Sequence, residues 1–281
     1  GTLDANTTGT KNNALGNYAL STNTTGANNV AIGHESLVNN TTASNNVAIG
    51  HTALFANTTG AYNVALGALA LDANTTADNN TAIGYATLTS NTTGIHNAAF
   101  GSAALFSNTT ANYNTAVGRE SLALNTTGAD NTATGYKALY TNTTGANNTA
   151  VGKGALTANT TANDNVSVGE QSMKANTTGA KNVAVGQNAL QANTTASYNT
   201  ALGRSSLYAN TTGVQNVGVG RNTLYTNTTG AYNTALGNSA LYANTTASYN
   251  TSIGFEALAA NTTGAYNTAL GASSLSSETQ G

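Results

Sequence analysis

The sequence predicts an all-β fold, a parallel β-solenoid or β-roll of sixteen coils with one 17-residue repeat per coil. Three observations predict it. The tripeptide Asn-Thr-Thr recurs sixteen times between Asn6 and Asn261, always 17 residues apart. No insertion or deletion interrupts the array, so every unit occupies an equivalent place on one scaffold. The unit is also too short for helices: helical repeats need about 33 residues or more, and leucine-rich repeats about 20–29. Helices pack about 8–10 Å apart and strands about 4.8 Å apart. A coil that advances by one strand spacing has no room for a helix.

With the first Asn of Asn-Thr-Thr as position one, the unit reads N-T-T-[GA]-x-x-N-[TV]-A-[LIV]-G-x-x-[AS]-L-x-[AT]. Asn-Thr-Thr has the chemistry of a turn. Position four is Gly or Ala. Where it is Ala (Ala43, Ala77, Ala111, Ala162, Ala196, Ala247) the next residue is Ser, Asp or Asn. This reads as a second version of one turn, with a short polar side chain bonded to its own backbone. The two recurring Asn columns, Asn6 and Asn23 at position one and Asn12 and Asn29 at position seven, read as ladders that bridge coils.

The segment from position seven to position eleven, as in Asn46-Val47-Ala48-Ile49-Gly50, is the best strand. Gly16, Gly33 and their equivalents end it, at a place suited to positive φ or close backbone approach. Positions twelve to sixteen read as a second short strand or an irregular turn. Position fifteen, Leu20, Leu37 and onward, is Leu in every unit but one, where Met173 stands. It reads as a structural column.

The strand is apolar or small on both faces, and such strands are usually covered on both. One face can line the coil. The other needs a partner that a thin coil cannot supply, which predicts a laterally associated homo-oligomer or filament. The repeats run through the chain as a single array, 1–281. The array starts mid-repeat and ends in a degenerate stretch, 276–281, which suggests continuation into a further repeat or end-to-end stacking.

Composition narrows the function classes. Only 6% of residues are charged, with 8 Lys+Arg and 10 Asp+Glu, so the chain carries no basic field to draw in nucleic acid. There is no Cys for a thiolate metal site and no apolar run long enough to span a membrane. Charges and Tyr gather at the variable positions five, six, twelve, thirteen and sixteen. A repeating surface offers the same residues everywhere, whereas catalysis needs unlike residues converging. The expectation is therefore no enzyme, no catalytic residue, no cofactor and no metal.

The strings Asn29-Val30-Ala31-Ile32-Gly33 and Asn46-Val47-Ala48-Ile49-Gly50 resemble the head repeats of trimeric autotransporter adhesins. They are also similar to the N-T-A-[LV]-G-x-x-A-L repeats of bacterial and phage tail-fibre-like proteins. The resemblance implies a left-handed parallel β-roll, trimeric, on a cell or virion surface, serving as an extracellular adhesive head or fibre shaft.

Two further sets of residues could carry function. Asn-Thr-Thr is formally an acceptor for N-linked sugar, at Asn6, Asn23, Asn40, Asn57, Asn74, Asn91 and onward. Glycans at every strand spacing would crowd, so the turn reading is preferred. Tyr208, Tyr225 and Tyr242 share position sixteen in successive coils and could form an exposed aromatic strip for carbohydrate, or simply a stabilising stack. His34 and His51 share position twelve and read as a surface pair. The function that follows is a structural extracellular fibre or shaft that self-associates. The alternatives are an adhesin or tail-fibre module recognising surface glycans, and a glycan-coated fibril.

Overall fold

In the computed structural model, which describes residues 1–279, the chain is all-β and built from sixteen three-residue strands. Gln280 and Gly281, the last two residues of the degenerate end at 276–281, lie outside the described residues. The chain forms two compact units, Gly1–Thr144 and Gly145–Gly281. The first holds β1 (Asn13–Leu15) to β8 (Thr132–Thr134), and the second β9 (Thr149–Val151) to β16 (Thr268–Leu270). Within each unit, strands pair in parallel with the equivalent strand 17 residues on, as in Ala48↔Ala65 and Ala184↔Ala201. Equal spacing forces this register, because each residue then lies against its own equivalent. Each unit is thus a β-solenoid.

Each strand covers only positions eight to ten. In β3 (Val47–Ile49) the central Ala48 is fully buried, while Val47 and Ile49 turn outward and stay partly exposed. This is the two-residue alternation of an extended chain. The Gly that follows is required twice over. Gly33 holds φ at 130°, and a Cβ there would lie 2.5 Å from the carbonyl oxygen of Gly50.

Positions twelve to seventeen form a turn and not a second strand. Two left-handed residues per coil cause it, at positions thirteen and fifteen, for example Thr52 at φ 52° and Leu54 at φ 51°. The turn remains laddered. Glu35 N–H donates to Asn17 O of the coil before at 2.9 Å, and Leu37 N–H donates to Ala53 O of the coil after at 2.9 Å. Each left-handed residue reverses the peptide direction, so successive amides serve opposite neighbours. A third left-handed residue stands at position six, as Tyr62 (φ 59°) and Asn79 (φ 60°) show.

The core is narrow. It consists of Ala at position nine, a small residue at fourteen and Leu at fifteen; Ala31, Leu20, Leu37 and Leu88 are fully buried. Burying a Leu contributes about 1.5–3 kcal/mol, and a left-handed L-residue costs about 1–2 kcal/mol. The position therefore gains little from burial alone, and the inter-coil bonds on either side hold it in place. Where position fourteen is polar, the interior adapts. Ser206 Oγ and Thr223 Oγ1 lie 2.7 Å apart, and Gly218 replaces the usual Ala beside them.

The Asn columns bond in two different ways. At position one the amides form a side-chain ladder: Asn23 Nδ2 donates to Asn6 Oδ1 at 2.8 Å and to Gly26 O at 3.0 Å. At position seven the side chains bond backbone from coil to coil. Asn29 N–H donates to Asn12 Oδ1 at 2.9 Å, and Asn29 Nδ2 donates to Ala43 O at 2.9 Å. These bonds give the buried amides of the interior their partners, as buried polar groups require.

The turn at positions four and five departs from the sequence reading. The polar side chain at position five does not bond its own backbone. It accepts from the backbone of the preceding coil: Ala27 N–H donates to Ser44 Oγ at 3.0 Å, and Ala61 N–H to Asp78 Oδ1 at 2.7 Å. An Ala at position four is flanked in both neighbouring coils by Gly, as Ala77 is by Gly60 and Gly94. A Cβ on Gly60 would strike the Ala77 carbonyl and lie 2.5 Å from Asn57 Oδ1. The polar residue of the Ala version thus makes a bond between coils, which one repeat by itself does not show.

Candidate functional site

The outward residues of the strands form an apolar strip in each unit. Leu66 is 42% exposed in the first unit and Leu236 45% in the second, and Phe100, Val117, Val185 and Leu202 are exposed alongside them. Coil stacking lines these side chains up with Val or Thr of position eight beside them. Single exposed apolar residues are ordinary, and a continuous row is not.

Tyr208, Tyr225 and Tyr242 do stack, with ring centroids 5.0 and 5.2 Å apart and planes within 6° of parallel. They are half-buried and not exposed as the sequence suggested, with their faces stacked on one another. A second ladder stands out further. Tyr232, Tyr249 and Tyr266 at position six stack at 4.9 and 5.0 Å and are exposed. In both rows the ring faces are turned to each other. A sugar that packs against an aromatic face finds one open only at the ends of a row. The depression beside Tyr242, lined by Ser239, Glu256 and Ala259, measures about 250 Å³, below the ~300 Å³ at which small-molecule pockets usually start.

The position-one Asn residues lie inside the coil. Asn23, Asn40, Asn57, Asn74 and Asn91 are fully buried. Asn57 Nδ2, for example, donates to Asn40 Oδ1 at 3.1 Å and to Gly60 O at 2.9 Å. An N-linked sugar would occupy one of these donors and the space beyond it, so the geometry weighs against glycans at these five. Asn6, in the first coil, is partly exposed and donates to Gly9 O at 2.9 Å. Position-three Thr, from Thr8 to Thr263, is exposed in every coil, whereas the position-two hydroxyl is bonded, as Thr24 Oγ1 is to Thr41 O at 3.0 Å.

His34 and His51 stack at 5.4 Å, and His34 Nδ1 lies 3.7 Å from Glu35 Oε2. Among the described residues no three metal-ligating side chains gather in one place. Asp72 is a different case. Its Oδ1 is buried without a hydrogen-bond partner, and burial pushes its carboxyl above the usual range, against the pull of its own and the Ala73 N–H groups.

One cluster of unlike residues breaks the monotony. Arg119 and Tyr136 share position twelve in adjacent coils, and Glu120 and Lys137 share position thirteen. Glu120 bridges both cations, at 2.8 Å to Arg119 and 3.3 Å to Lys137. Arg119 lies 5.9 Å from the Tyr136 ring centroid, and Lys137 lies 5.5 Å from Tyr136 and 5.0 Å from Tyr140. Desolvation pulls the Glu120 carboxyl upward, but its bonds to Lys137 and Arg119 prevail and hold it below the usual range. The bond to Glu120, and then Tyr136, raise Lys137. The shared positions of adjacent coils are the sequence signal for this pairing.

No helix among the described residues is long and apolar enough to cross a membrane. Comparison with protein-family models, with curated proteins and with solved structures returns no match for this chain.

Proposed function

We propose that the chain is a structural element of an extracellular fibre or shaft, which associates laterally with copies of itself through the apolar strips. The exposed row at positions eight and ten carries this reading. Its position-ten side chains are nearly all Leu, Ile, Val or Phe, flanked by Val or Thr at position eight, and many of them stay exposed. A second copy presents the same row at the same spacing, so self-association covers it without a new recognition surface. Backbone and amide bonds between coils are suited to bearing load along the stack. The trimer and the cell- or virion-surface location come from the adhesin-like resemblance and rest on it.

Native mass spectrometry tests the proposal, comparing the wild type with Leu66→Lys and Leu236→Lys. A discrete species near three chain masses that falls to one chain in the variants is the expected result. A wild type that remains a single chain at micromolar concentration would overturn it.

A second reading, a binding module on the same scaffold, draws on the Arg119–Tyr136 cluster. The stacked Tyr rows favour it less, because their faces are mutually covered.

A further inference from the structure

We propose that Arg119, Glu120, Tyr136, Lys137 and Tyr140 form a binding site for a carboxylated sugar. The inference does not depend on self-association, since a chain that stayed monomeric would keep this site.

The fold does not need these residues. The same places in other coils of the first unit hold Ala68 and Ser102 at position twelve, and Ala86 and Ala103 at position thirteen. Those coils make the same turn. Ala103, like Glu120 and Lys137, is left-handed, with φ of 56°, 56° and 55°. Stability does not explain the cluster either. Exposed ion pairs contribute about 0–1 kcal/mol, against roughly 2 kcal/mol of rotamer entropy in each long cation. In a chain with 8 basic residues, two of them meet here beside two tyrosines.

The chemistry points to the ligand. Glu120, only 20% exposed in its side chain, orients both cations and cancels one charge, leaving a local excess of one positive charge. Arg119 is 68% exposed, and its Nη2 meets Glu120 Oε1 at 2.8 Å. Its fork can receive a carboxylate. Tyr136, an exposed ring, supplies apolar surface for sugar C–H groups and a hydroxyl for hydrogen bonding. A bare anion would need no ring, and a neutral sugar would need no excess charge. A carboxylated sugar uses both.

Calorimetric titration of the full chain tests this with an oligoglucuronate and with sialyllactose, against the neutral gluco-oligosaccharide, lactose and sodium acetate. At least one acidic sugar should bind saturably, more weakly as salt rises, and its neutral counterpart at least about tenfold more weakly, the loss of one charge-assisted hydrogen bond. Arg119→Gln and Tyr136→Ser should each weaken binding by about tenfold or more, with circular dichroism and melting unchanged. Arg204→Gln, in the second unit, should bind like the wild type. The proposal fails if neither acidic sugar binds at millimolar concentration, or if Arg119→Gln binds undiminished. It also fails if acetate displaces the sugar at equal concentration, which would reveal a bare anion site.

Discussion

Asn40 donates from Nδ2 to Oδ1 of Asn23 across 2.8 Å, and both side chains are fully buried. The same Nδ2 also donates to Ala43 O at 3.0 Å, while Asn40 Oδ1 accepts from Asn57 at 3.1 Å. An amide is the one side chain of this size that gives and receives in this way at once. Asn40→Asp keeps the shape and turns two donors into an acceptor that faces two acceptors. Urea denaturation at pH 7 should show a loss of about 3–5 kcal/mol, as for other unpaired buried charges. Part of that loss should return at pH 4, where protonation restores one donor. A midpoint equal to the wild type would mean that the ladder carries no stability.

Leu88 offers a test of backbone strain. It is fully buried and held at φ 52°. Leu88→Ala should cost about 2–5 kcal/mol through the cavity it leaves. Gly is ordinarily worse than Ala by about 0.5–1 kcal/mol, but here it adopts the left-handed conformation freely. Leu88→Gly should therefore be no less stable than Leu88→Ala in chemical denaturation. If Gly proves worse by its ordinary margin, the left-handed residue is not under strain.

Gly218 reports on the narrow interior of the second unit. A Cβ there would lie 2.5 Å from Ser206 Oγ and 3.0 Å from Thr223 Oγ1. Gly218→Ala should destabilise by about 1–3 kcal/mol, as overpacking does. Adding Ser206→Ala and Thr223→Ala restores the Ala pairing found in most coils and should recover much of the loss. Thermal melts of the single and triple variants decide the matter; additive losses would refute the steric account.

Asp72 sets a pH dependence with a definite sign. Burial raises its folded-state pKa above the unfolded value of about 3.9. The folded chain thus holds this proton more tightly than the unfolded chain. The contribution is fully present below the unfolded pKa and is lost as pH rises through the folded one. Asp72→Asn should be more stable than the wild type at pH 7, and the gap should close towards pH 4. A gap that stayed constant with pH would show that the carboxyl is solvated in the folded state.

Much of the architecture was legible because the sequence repeats it sixteen times. Leu20, Gly33 and Asn29 are recurring residues, and each has a task that recurs: filling the core, passing close to the next coil, and bonding across it. The turn at positions twelve to seventeen was harder, because left-handed Glu35 and Thr52 carry no composition signal; residues as different as Tyr18 and Lys137 adopt the same φ. The Arg119–Lys137 cluster was not legible as a unit because it joins unlike residues from two positions, with Glu120 bridging a cation of its own coil and one of the next.

The sequence by itself determined the period, the parallel register and the recurring Leu and Asn columns. An uninterrupted 17-residue spacing allows no other alignment of equivalent residues. Only the tertiary structure decided where each side chain points and what it meets. That includes the inward turn of Asn23, the mutual covering of the Tyr249 and Tyr266 faces, and the outward row that includes Leu66. The physical reason is that one coil has almost no interior of its own. Burial, hydrogen-bond partners and backbone reversals are set by the coils on either side, and they exist only once the coils are stacked.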